Sequence, residues 1–130
     1  MSQKEIEIIL ARHLASYLAM PILIVDTEGT LLYYNEPAEE ILGMRYTDTG
    51  EMRASEWGVL FKPTSDEGEP LAPERLPLVV ALAERQPARG SFWIRGLDNV
   101  LRHIDIAAFP LVGQADRYLG ALAMFWEVEL

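Results

Sequence analysis

Between Val100 and Leu130 apolar side chains occupy both parities of the chain. Ile104, Ile106 and Ala108 alternate with His103, Asp105, Ala107 and Phe109, and Ala121, Ala123 and Phe125 alternate with Leu122, Met124 and Trp126. Successive strand side chains point to opposite faces, so this pattern predicts two long strands, 100–111 and 117–129, joined through residues 112–116. Both of their faces are apolar, and each must be covered by something.

The rest of the chain supplies candidates for that cover. Residues 3–19 repeat Ile6, Ile9, Leu10, Leu14 and Tyr17 at helical spacing, and Ser2 with Glu5 forms a capping-box pattern. A helix of this length needs a partner for its apolar stripe, and the outer sheet face is the natural one. Ile22–Val25 reads as a strand, Asp26-Thr27-Glu28-Gly29 as a turn and Leu31–Tyr34 as the returning strand. Asn35, Glu36 and Pro37 open a short helix that ends at Leu42-Gly43. From Met44 to Phe61 periodicity is poor, and only short turns are predicted, with Trp57, Val59 and Leu60 as inward anchors. Residues 62–70 form an acidic, turn-rich surface loop. A helix with its regular part starting at Pro77 runs to Arg85 with Leu78, Val79, Leu82 and Ala83 inward. Gln86–Gly90 breaks it, and Phe92–Arg95 opens a further strand that turns at residues 96–99.

Composition narrows the function classes. A length of 130 residues suits one domain, read as an N-terminal helical segment, 1–19, followed by a globular unit, 20–130. A net charge of −9 argues against a nucleic-acid surface and against an anionic membrane. No apolar run reaches the length of a membrane span and no secretory leader is visible, so a cytoplasmic location is expected. The absence of cysteine removes disulfides, thiolate nucleophiles and zinc–thiolate chemistry.

The order of several patches resembles the PAS domain family of sensory and signalling modules. They are the Asp26–Gly29 turn, Asn35-Glu36-Pro37-Ala38 with Leu42-Gly43 after it, Gly68-Glu69-Pro70-Leu71 leading to Leu76-Pro77-Leu78, Ala81-Leu82 with Gly90, Ala107–Leu111, and Gly120 to Phe125. The resemblance covers about residues 20–127. It implies an α+β fold with a five-stranded antiparallel sheet, helices on one face, and the N-terminal amphipathic helix on the other face or at a dimer interface. It departs from the family at its end, where Glu127-Val128-Glu129 replaces the usual Asp-Ile-Thr.

Laid on that fold, Leu23, Val25, Ile94, Ile104, Ile106, Ala108, Ala121, Ala123 and Phe125 point toward the helices together with Phe92. With Trp57, Leu78 and Leu82 they are expected to line the space where relatives hold ligands. Ile22, Ile24, Trp93, Phe109, Leu122, Met124 and Trp126, along with His103, Asp105 and Ala107, point outward. Together with Ile6, Leu10 and Leu14 they are expected to form an outer face that engages the helix and a second subunit, because large apolar patches mark interaction surfaces.

Candidate chemistry is sparse. Of the two histidines, His13 lies on the helix and His103 faces outward, so neither is placed to hold haem. The light-sensing flavin adduct needs a cysteine, and the inward strand positions lack Asn or Gln for a flavin's polar edge. Arg75 and Arg102 are the cations nearest the expected pocket. The serines and paired acids form no convergent catalytic group, so no enzyme is expected, and no metal or cofactor. The expected function is a sensory, signal-transducing module that dimerises, takes a small, largely apolar ligand between sheet and helices, and acts on a signalling effector in cis or trans. The alternative is a ligand-free structural dimerisation module.

Overall fold

The computed structural model describes residues 6–128, apart from the side chains at positions 58 and 59. Ser2, Glu5, Glu129 and the side chain of Val59, named above, lie outside the described residues. Helix α1 (Ile6–Tyr17) precedes strands β1 (Ile22–Val25) and β2 (Leu31–Tyr34). Three short helices follow: α2 (Glu36–Leu42), α3 (Tyr46–Thr49) and α4 (Ala54–Leu60). A 3-10 turn at Pro73–Arg75 leads into α5 (Pro77–Glu84), and the chain ends in β3 (Ala88–Arg95), β4 (Leu101–Val112) and β5 (Tyr118–Glu127).

The five strands form one sheet in the order β2-β1-β5-β4-β3, with every neighbouring pair antiparallel. The two strands with apolar residues on both faces, β4 and β5, are therefore internal, as a doubly covered pair must be. One apolar cluster lies between the sheet and α2, α4 and α5 and includes Val25, Ile104, Ile106, Ala108, Ala121, Ala123 and Phe125. A second lies between α1 and the opposite face and is built on Ile8, Ala15, Ile22, Ile24, Leu32 and Leu119. The two parities of the sheet thus go to the two clusters that the alternation demands.

The first turn is fixed as its composition suggests. The Asp26 carboxylate accepts from the backbone amides of Glu28 and Thr30 at 2.9 and 3.0 Å, and Gly29 adopts φ 83°, a left-handed conformation open to glycine. Gly120 serves a different need, since a Cβ there would collide with the Val25 carbonyl across the β1–β5 pairing.

Helix α1 covers the outer face, but with the other side of its turn. Ile8, Ala11 and Ala15 meet the sheet, while Ile6, Leu10 and Leu14 are 67%, 61% and 63% exposed, and Ile9 and Tyr17 are exposed as well. The larger residues gave the stronger periodic signal, yet the small ones, Ala11 and Ala15, allow the helix axis to approach the strands closely. Two polar anchors fix this rotation. The Glu7 carboxylate accepts from Arg117 at 2.9 Å and from the Gln114 amide at 3.2 Å, and the Arg12 guanidinium lies 4.9 Å above the Tyr33 ring.

Other boundaries also differ from the sequence reading. The weakly periodic 44–61 stretch contains α3 and α4 rather than turns alone, and Leu60 is exposed, not inward. In α5 the buried face carries Leu78 and Ala81, and Ala83 is exposed. Strand β3 begins at Ala88 because the edge strand continues its pairing with β4 back to Ala108, despite the glycine at position 90.

Candidate functional site

Between the sheet and the helical layer lies an apolar chamber of about 70 Å³. Leu23 from β1, Ile94 from β3, Ile104 and Ile106 from β4 and Phe125 from β5 form its floor, and Trp57 and Leu78 close it from α4 and α5. Leu31, Leu42, Phe61, Pro63, Leu76, Pro77 and Phe92 complete the wall. Trp57 is held in place by its indole N–H, which donates to the Gly29 carbonyl at 2.8 Å. With that donor satisfied, no side chain of the wall offers a free polar atom. A chamber of this kind excludes charge and admits an apolar guest or none.

Beyond Trp57, Pro63 and Leu76, which line both spaces, a groove of about 520 Å³ opens along Lys62, Thr64, Pro70 and Leu71.

A polar centre sits at the edge of the sheet. Asn35 is fully buried, caps α2 by accepting from the Ala38 amide at 3.2 Å, and also accepts from the Ile22 amide at 3.0 Å. Its amide nitrogen donates to the carbonyls of Ala15 and Met20 at 2.9 and 2.8 Å. One side chain therefore ties the end of α1, the start of β1 and the start of α2, whose last residue, Leu42, lines the chamber. Nearby, Tyr34 donates to the Met44 carbonyl at 2.8 Å and Tyr46 to the Leu32 carbonyl, and burial raises the hydroxyl pKa of both tyrosines.

The fold is similar to that of solved PAS domains and of a LOV protein. The PAS domain of BvgS from Bordetella pertussis superposes with a TM-score of 0.70 at 20% identity, over 97% of this chain and 89% of that one. The Rhodobacter sphaeroides LOV protein gives 0.74 at 15% identity, over 96% of this chain and 69% of that one. The PAS domain of nitrogen regulation protein NR(II) from Vibrio parahaemolyticus gives 0.64 at 18% identity, over 92% and 98%. The chain has the PAS fold. No family model matches the sequence, and no curated protein matches it either.

Within the PAS fold the residues expected at the pocket divide. Leu23, Trp57, Leu78, Ile94, Ile104, Ile106 and Phe125 line the chamber, whereas Val25, Leu82, Ala108, Ala121 and Ala123 belong to the same apolar cluster but lie away from the cavity. The alanines do not leave space. Helix α5 lies across β3, β4 and β5, and small side chains beneath it let it settle close to the sheet. The void forms instead farther along, where Phe61 and Leu76 meet large residues that do not interlock. Sequence spacing gave no signal for those two, since neither belongs to a periodic run.

The expected cations do not reach the chamber. Arg75 is exposed on the 3-10 turn. Arg102 pairs with Asp98 at 2.8 Å and donates to the Ile41 carbonyl at 2.9 Å, strapping the β3–β4 hairpin to the end of α2. The hydrogen bond from Arg102 to Asp98 holds the Asp98 carboxyl below the usual carboxylate range. Glu127, at the end of β5, lies 3.9 Å from Arg102.

On the outer face, Ile22 and Ile24 are buried beneath α1, and Leu122 and Met124 pack at its margin. Trp93, Phe109 and Trp126 are half-buried. His103 is buried, edge-on to Trp93 at 4.9 Å between ring centres, with its Nε2 3.4 Å from the Asp66 carboxylate. His13 is exposed on α1. No described helix is long and apolar enough to cross a membrane.

Proposed function

We propose that this chain is a sensory and signal-transducing module of the PAS type, in which a small, largely apolar ligand occupies the chamber and a second copy of the chain packs on α1. The observation that carries the ligand half is the chamber itself, walled by apolar side chains from both layers of the fold. Filling it shifts the packing of α2 through Leu42, and Asn35 joins the start of α2 to the end of α1. A ligand moves such an equilibrium only by its differential affinity for the two arrangements. The observation that carries the dimer half is the row of exposed Ile6, Leu10 and Leu14, an apolar stripe that the sheet leaves unused. The module acts on an effector in cis or in trans, and the chamber is read as a binding space, its wall holding no nucleophile, acid or base.

A second reading, a ligand-free dimerisation module, is favoured by the size of the chamber, which is below the few hundred Å³ of ordinary ligand pockets. Native mass spectrometry of the purified chain separates the two. A retained small molecule on a dimer supports the first reading, a bare dimer the second, and a bare monomer neither.

A further inference from the structure

We propose that the ligand is an amphipathic monoanion, a medium-chain alkyl carboxylate, with its tail in the chamber and its head group at Lys62. This rests on the reading of the chamber as a ligand site. The chamber alone admits only a very small apolar guest, since about 70 Å³ is under half of a cavity that takes benzene. Trp57, Pro63 and Leu76 line both the chamber and the adjoining groove, so a larger ligand extends from one into the other alongside them. Along that groove Lys62 is the one charged side chain among the lining residues, with the hydroxyls of Ser55 and Thr64 as the other polar groups.

Lys62 is set apart in three respects. It is the one lysine among the described residues. No described carboxylate lies within ion-pair distance of it, in a chain whose net charge is −9. Its backbone is left-handed, φ 45°, a conformation that a lysine rarely adopts and that its surroundings must hold. The holding contacts are present on both sides. The Phe61 carbonyl accepts from the Arg95 amide at 2.9 Å, the Pro63 carbonyl accepts from the Leu71 amide at 3.0 Å, and Thr64 exchanges two backbone hydrogen bonds with Trp93 at 2.9 Å. Phe61 thereby enters the chamber while Lys62 stays in the groove, so an apolar wall and an ammonium lie one residue apart. A single ammonium acts as a point charge, suited to a monoanion rather than to the bidentate recognition that an arginine fork gives phosphate.

The test is a methyl and amide NMR titration of the full chain with octanoate and with octanol, on the native protein, Lys62→Gln and Lys62→Arg. The proposal expects both amphiphiles to shift the chamber methyls of Leu31, Leu42 and Ile104. It expects Lys62→Gln to weaken octanoate about fivefold, the upper range for an exposed ion pair, without affecting octanol, and Lys62→Arg to retain octanoate. Equal effects of Lys62→Gln on both, or none on octanoate, overturn the role of Lys62 while the chamber stands as a ligand site. If neither amphiphile binds but pressurised xenon shifts the chamber methyls, the amphiphile proposal fails and the chamber survives. If xenon also leaves them unmoved, the ligand reading fails with it.

Discussion

The Asn35 side-chain amide donates to the Ala15 carbonyl at 2.9 Å, which fastens the last turn of α1 to the first turn of α2. The two helices lie on opposite faces of the sheet. A chamber residue, Leu42, and a residue under the outer helix, Ala15, are therefore connected around the sheet edge through one buried polar group. Buried polar groups that are fully satisfied fix one arrangement of the elements they join.

Replacing Asn35 with Ala removes two donated and two accepted hydrogen bonds in a buried setting. Loss of an N-cap and of partners for buried backbone groups predicts destabilisation of about 3 kcal/mol. Urea denaturation measures this. Hydrogen exchange in α1 should rise more than in β4, because α1 loses its anchor; a uniform rise would show that Asn35 serves global stability without linking the helices.

Acid should loosen the other end of α1. Hydrogen bonds from the Glu7 and Gln114 backbone amides and from Arg117 hold the Glu7 carboxyl below its ordinary range. A carboxylate with a folded pKa below its unfolded value contributes stability that is present above the unfolded pKa and lost as pH falls through the folded one. Protection of α1 should therefore fall as pH drops below the ordinary carboxylate range, with Glu7→Gln removing that dependence. A pH profile identical in both proteins would assign the effect to other groups.

Cavity filling should separate the chamber from the closely packed alanines. Ile106→Phe adds volume next to the chamber and is predicted to change stability by less than about 1 kcal/mol, whereas Ala123→Leu, under α5, should cost about 1–3 kcal/mol through overpacking. Thermal and urea denaturation of both variants checks the contrast; equal costs would mean that the chamber is not available space.

The exposed stripe of α1 yields a prediction free of folding effects. Leu10→Glu combined with Leu14→Glu should shift the chain to monomer in analytical ultracentrifugation with unfolding free energy within about 0.5 kcal/mol of the native monomer's, since neither residue packs on the sheet. Retained dimers would move the interface to the half-buried patch of Trp93, Phe109 and Trp126.

Much of this fold is legible because strand alternation is a strong constraint. The two-sided apolar pattern of β4 and β5 requires both to be internal and requires cover on each face, and Ile22 and Ile24 follow from the same parity. Helix α1 was readable as an element but not in its rotation, because the small Ala11 and Ala15 and the contacts of Glu7 and Arg12 with distant residues decide which side meets the sheet. Of the chamber wall, Leu23, Ile94, Ile104, Ile106 and Phe125 lie on the strand face that alternation points to the helices, whereas Leu31, also on a strand, carried no such expectation. Phe61 and Leu76 carried no signal, since they sit at the end of α4 and the start of α5 outside any local period, Phe61 being directed by the Arg95 amide that its carbonyl accepts from. Alanines mark where a helix can approach, and voids form where large side chains fail to interlock.

If Asn35 couples the two helices as proposed, occupancy of the chamber is felt by α1 on the far side of the sheet. NMR of the native chain under xenon pressure, recording chamber methyls and α1 amides in one sample, tests it most directly. The account predicts that methyls of Leu31, Leu42 and Ile104 shift together with the amides around Ala15 and Asn35. Shifts confined to the chamber, with α1 and Asn35 unmoved at saturation, would contradict it.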